Sequence, residues 1–156
     1  IGDFDEHLYQ VVPLETFPIR LLVNEKHPLA QKESVTIEDL QGEPMFIESS
    51  QFHIYHLIVE KCEKAGFEPD IIFQTSGFSL CHKMVKANKG ISVAVDFIYD
   101  DMREDGMKLI PFSDGRYEWK ACMITRRDEE ENEGVQCFRK HVQEWLQKIR
   151  SGEITR

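Results

Sequence analysis

Three short apolar runs separated by two helical patterns constrain this chain more than any other feature. PMFIE (44–48), DIIFQ (70–74) and ISVAV (91–95) have the length and composition of buried strands. Between the first two, Phe52, Tyr55, Ile58 or Val59, and Cys62 recur at helical spacing. Gly66 offers a helix stop there, and Pro69 follows it. Between the second and third, a helix is predicted from about Phe78 to Asn88, with Gly90 after it. Strand–helix–strand–helix–strand predicts an α/β fold with a mixed, mostly parallel sheet flanked by helices.

The flanking segments read as further strands and one helix. HLYQVV (7–12) is a strand that Pro13 interrupts, and IRLLV (19–23) is a second. Thr36 and Asp39 form a capping-box-like start to a short helix that Gly42 closes. KLIPF (108–112) and WKACMIT (119–125) lie on either side of the turn SDGR. The strands at 19–23 and 108–125 fall outside the alternation and are expected as antiparallel edge strands. Val135, Phe138, Val142, Trp145 or Leu146, and Ile149 predict an amphipathic C-terminal helix.

In open α/β sheets, ligands bind beyond the carboxyl ends of the strands. Two such ends here carry the same chemistry. PMFIE runs into Ser49, Ser50 and Gln51 at a helix start, and DIIFQ runs into Thr75, Ser76 and Gly77 at another. Each brings hydroxyls and unpaired backbone N–H groups to a helix N-terminus, which suits an anion. Gly77 permits close approach of a ligand to the backbone, and Phe78 offers an apolar wall. The competing reading makes Ser50 and Ser76 plain N-caps.

FHIYHLIVEKC (52–62) and the adjacent Cys81 and His82 raise the alternative of a metal or catalytic centre. Helical spacing puts His53 and His56 on neighbouring faces, and Cys81 and His82 point about 100° apart. The four cysteines (Cys62, Cys81, Cys122, Cys137) contain no tight ligand pair. The chain is therefore read as a non-enzyme without metal or cofactor, its thiols reduced. A net charge of −9 disfavours direct nucleic-acid binding. No apolar run approaches the roughly 20 residues of a membrane span. The acidic run RRDEEENEG (126–134) reads as a solvated loop.

The order of segments resembles the effector-binding domain of LysR-type transcriptional regulators. The resemblance is carried by ETFPIRLLVNEKHPLA (15–30), SVTIEDLQGEPMFI (34–47), KMVKANKGISVAV (83–95) and KLIPF. Within these, His27-Pro28-Leu29-Ala30 together with Asp39-Leu40-x-Gly42 is the most specific. It implies a periplasmic-binding-protein-like (type 2) lobe. Residues 1–18 would be the end of lobe one and the first crossover, 19–115 the effector-binding lobe two, and 116–156 the return crossover and C-terminal helix. The family's N-terminal helix-turn-helix and the first part of lobe one are expected to be missing.

By position, the resemblance assigns Ser49, Ser50, Gln51, Thr75, Ser76, Gly77, Phe78, Asp96 and Phe97 to the effector cleft. Asp96 adds a negative charge at the rim, which leaves room for an amine-bearing or neutral ligand beside a carboxylate or amino-acid-like one. The function implied is small-molecule sensing in a cytoplasmic regulator that works as a homodimer or tetramer. That regulator would touch DNA only through the helix-turn-helix. A solute-binding protein of the same two-lobe fold is the alternative.

Overall fold

The computed structural model describes residues 5, 7–102, 105–129 and 132–152. The chain divides into two compact units, one of Phe17–Trp119 and one of residues 1–16 with 120–156. The strands are β1 (Tyr9–Asn24), β2 (Met45–Glu48), β3 (Ile71–Thr75), β4 (Ser92–Val95), β5 (Met107–Pro111) and β6 (Glu118–Arg126). The α-helices are α1 (His53–Lys64), α2 (Phe78–Lys86), α3 (Asp96–Asp101) and α4 (Glu133–Ser151).

Every apolar run of the central alternation becomes a strand or a helix where the pattern predicts it. The N-terminal expectation differs: residues 9–24 form one strand of 16 residues that passes through Pro13 and Pro18. Both prolines are exposed. The fixed φ of proline suits extended backbone, and its missing N–H is tolerated where no ladder partner is needed. Proline therefore marks no break here.

Within the unit 17–119 the strand order is β3-β2-β4-β1-β5. β2 and β3 pair in parallel. A parallel bridge then joins Met45 to Ile91, where Phe46 N–H donates to Ile91 O (2.9 Å) and Ile91 N–H to Pro44 O (2.8 Å). β1 runs antiparallel to both β4 and β5. Residues 19–24 are thus an interior strand, contrary to the edge position expected, because β1 has a partner on each side.

Alternation sorts the side chains to two covered faces. Ile19, Leu21, Val23, Met45, Ile47, Val93, Val95 and Ile110 meet Ile54, Ile58 and Cys62 of α1 on one face. The buried stripe of α1 is therefore Ile54–Ile58–Cys62, with Phe52 at the cap and Tyr55 half-buried. On the other face Leu22 and Ala94 pack against Val85 of α2, with Met107.

The HPLA turn has a physical reason. His27 is 9% exposed; its Nδ1 accepts from Leu29 N–H (3.3 Å), and its Nε2 lies 3.3 Å from Glu43. It caps the 3-10 turn Pro28–Gln31, so its role is structural. Asp39 accepts from Thr36 N–H (3.1 Å), which supplies that half of the expected capping box.

In the unit formed by residues 1–16 and 120–156, α4 starts at Asn132. The Asn132 side chain accepts from Gly134 N–H (2.9 Å), and the helix ends at Gly152 in the left-handed region. Phe138 and Trp145 are exposed along it. Part of the acidic run (130–131) lies outside the described residues.

Gly90 is the tightest position of the bridge. A Cβ there would stand 2.1 Å from Pro44 O and 2.9 Å from Phe46 Cε2. Replacing Gly90 by Ala is expected to cost at least about 2 kcal/mol, because backbone and not a flexible side chain blocks the methyl group. Urea unfolding measures it; an unchanged midpoint would show that the bridge is not needed.

Candidate functional site

Because β2, β3 and β4 run parallel, their carboxyl ends share one edge. The helix starts of α1 and α2 sit just beyond it. Ser49 N–H donates to Thr75 O (2.8 Å) and ties the ends of β2 and β3 together.

Neither helix is capped by the serines. α1 has Phe52 at its cap and α2 has Gly77, in both cases without a side-chain cap bond. Ser50, Gln51 and Ser76 are exposed, while Ser49 Oγ is buried with no hydrogen-bond partner. Thr75 Oγ1 accepts from Gly77 N–H (3.2 Å). Both helices therefore begin without a side-chain bond from their cap residues, next to a buried hydroxyl with no hydrogen-bond partner. Such an arrangement is suited to an anion.

Phe52 and Phe78 face each other with ring centroids 6.4 Å apart, giving an apolar wall between the two helix starts. A Cβ on Gly77 would meet nothing within 4 Å, so the space before it is open and glycine is not required by packing.

The remaining two expected residues behave differently. Asp96 opens α3, and its Oδ1 accepts from Arg20 Nε at 2.6 Å. The register that sets Arg20 opposite Ala94 produces this pair. The negative charge expected at the rim is thus balanced, which removes the reason to prefer an amine or neutral ligand. Phe97 packs its ring on Phe17 (4.7 Å) and Trp119 (5.6 Å) in a separate aromatic cluster.

Glu48, the last residue of β2, escaped the sequence reading. It is 1% exposed, on the face toward α2, and both of its carboxylate oxygens lack a hydrogen-bond partner. Burial pushes its carboxyl from 4.5 up to about 7. Its signal was present, as the one charge in an otherwise apolar strand. Phe52 and Arg20 were also missed, the first as a core helix position and the second inside an apolar run.

The histidine and cysteine cluster does not converge. His53 and His56 are exposed, with His56 Nε2 2.7 Å from Ser50 O, while Cys62 is fully buried against the sheet. Among the described residues no group of three or more His, Cys, Asp or Glu could hold a metal. Burial pushes the thiols of Cys62 and Cys81 up to about 11 and about 12, away from nucleophilic reactivity.

A family model described as the LysR substrate binding domain matches residues 1–147. The uncharacterized HTH-type transcriptional regulator YwbI of Bacillus subtilis is 27% identical over 142 residues, 91% of this chain and 47% of that protein. The chain therefore spans about half the length of that relative. The effector binding domain of QuiR in complex with shikimate superposes with a TM-score of 0.79 at 16% identity, over 92% of this chain and 68% of that one. The BenM effector binding domain with its effector benzoate gives 0.79 at 19% identity, over 97% and 67%. At these identities the two structures establish the fold.

Three outcomes follow from the geometry. Ser49→Ala is expected to leave stability unchanged or raise it by up to about 1 kcal/mol, since it removes a buried, unbonded hydroxyl. Ser50→Ala and Ser76→Ala should each cost well under the roughly 1 kcal/mol of a true N-cap; a full cap-sized loss in urea unfolding would contradict the site. For Glu48, the unfolded chain releases its proton near pH 4.5 and the folded chain near 7. Stability should therefore fall by about 3 kcal/mol as pH rises through that window, then level off. Glu48→Gln should remove that slope, and a slope that persists in the variant would assign it to another group.

Proposed function

The chain belongs to the LysR substrate binding domain family, and on that premise we propose that it is the effector-sensing domain of a LysR-type transcriptional regulator, selective for a small carboxylate. The observation that carries this reading is the pair of uncapped helix starts on one sheet edge, with the unbonded hydroxyl of Ser49 between them. The carboxylate would be held by the opening N–H groups of α1 and α2, by Ser49, Ser50 and Ser76, and by Gln51. Phe52 and Phe78 would take its apolar body. Shikimate and benzoate in the two similar structures are carboxylates of this kind.

A ligand shifts a regulator only by binding its two states unequally. The contacts above serve that end if the effector is bound more tightly in one arrangement of the regulator than in another. DNA would be contacted by a helix-turn-helix domain elsewhere in the complete protein, and the regulator would be cytoplasmic. Among the described residues no helix is long and apolar enough to cross a membrane.

A homodimer or tetramer is supported by β3, an edge strand whose Ile72 and Phe73 are 57% and 46% exposed. With Phe46, Leu80 and Met84 they line an apolar groove. Such an edge invites a protein partner. The matched family favours the sensing domain over a solute-binding protein.

Thermal-shift titration with aromatic and aliphatic carboxylates, with amines as controls, tests the reading. A carboxylate should raise the melting temperature, and Ser49→Ala should weaken its binding about tenfold, the worth of one hydrogen bond to a charged group. No response to any carboxylate, together with unchanged promoter output from Ser76→Ala in the complete regulator, would overturn it.

A further inference from the structure

The anion reading leaves one group unused. Glu48 directly precedes the loop that carries Ser49 and Ser50, and it ends the strand whose edge forms the site. Its side chain lies under the first turns of α2, close enough to Cys81 for its charge to push that thiol up. Among the described residues none is hydrogen-bonded to its carboxylate oxygens. From α2 it is met by Cys81, which is hydrogen-bonded to Ser92 of β4, and His82, the next residue of α2, is buried as well. Tyr99 of α3 lies behind, with its ring 6.5 Å from that of His82. β3 offers no titratable side chain, and α1 packs on the opposite face of β2 with Ile54, Ile58 and Cys62. Arg20, on the same face two strands away, is bonded to Asp96.

We propose that anion binding at this edge is coupled to proton uptake by Glu48, which rests on the anion-site reading above. A negative ligand at the helix starts and an ionised Glu48 are like charges in a poorly solvated place. Each disfavours the other. The empty site lets Glu48 release its proton to water near neutral pH, and the filled site takes one proton back onto the carboxyl oxygen. The sensor then reads effector and pH together, binding its anion more tightly on the acid side of neutrality.

The test uses the 156-residue chain with 13C-labelled Glu carboxyls and 15N amides, titrated from pH 4 to pH 9 by NMR. Without ligand, the Glu48 carboxyl should titrate near neutrality, and the amides of Ser49–Gln51 and Ser76–Phe78 should follow the same midpoint. With saturating sulfate or benzoate, that midpoint should rise by about one pH unit, and the affinity for either anion should fall about tenfold from pH 5 to pH 9. Glu48→Gln should bind with the acid-side affinity at every pH. Should that variant not fold, the wild-type titration alone decides.

A Glu48 carboxyl that titrates with the surface carboxylates overturns the coupling. So does a midpoint unmoved by an anion that does shift the Ser49 and Ser76 amides; either result leaves the site reading intact. If neither sulfate nor benzoate moves those amides at any pH, the anion site itself is lost, and the coupling with it.

Discussion

Two backbone hydrogen bonds hold this arrangement together. Phe46 N–H to Ile91 O and Ile91 N–H to Pro44 O join the parallel pair β2-β3 to the antiparallel group around β1. Through them the ends of β3, β2 and β4 come to one edge, and only then do Ser49, Thr75 and Asp96 belong to the same surface. Gly90 is what lets the two backbones approach so closely. A side chain there would separate the ladders, and the site depends on their contact.

Charge is distributed unevenly along that edge. At the β4 end Arg20 and Asp96 satisfy each other at 2.6 Å. At the β2 end Glu48 is buried without a partner, and its burial disfavours ionisation. The helix starts that follow β2 and β3 carry the positive ends of two peptide dipoles. An anion placed there gains from the dipoles, is little affected by the neutral pair, and is opposed by Glu48 once that group loses its proton.

Much of this was legible from residue patterns. Apolar runs of four or five residues became strands, and Gly66 and Gly90 fell where a helix ended and where two backbones touched. Ser49 and Thr75 were identified from strand ends alone, because the alternation of strand and helix sets the direction of a parallel sheet. Other positions misled because local signals are blind to partners. Pro13 looked like a break, yet it is exposed within a continuous strand. The competing reading of Ser50 and Ser76 as caps fails, because Phe52 and Gly77 hold those places. Asp96 looked like a bare charge until strand register supplied Arg20.

The sequence by itself determined the elements, their order and the chemistry at each strand end, since periodicity, turn residues and helix starts are properties of neighbours along the chain. Helical geometry also separates the adjacent Cys81 and His82 by about 100°, so their adjacency along the chain did not make them a pair. Only the tertiary structure decided which groups meet. It set Phe52 against Phe78, matched Arg20 to Asp96, and left the Ser49 hydroxyl and the Glu48 carboxylate oxygens buried without hydrogen-bond partners. Satisfaction and burial are properties of the whole fold. A polar side chain acquires its role from the neighbours it finds or fails to find across the sheet.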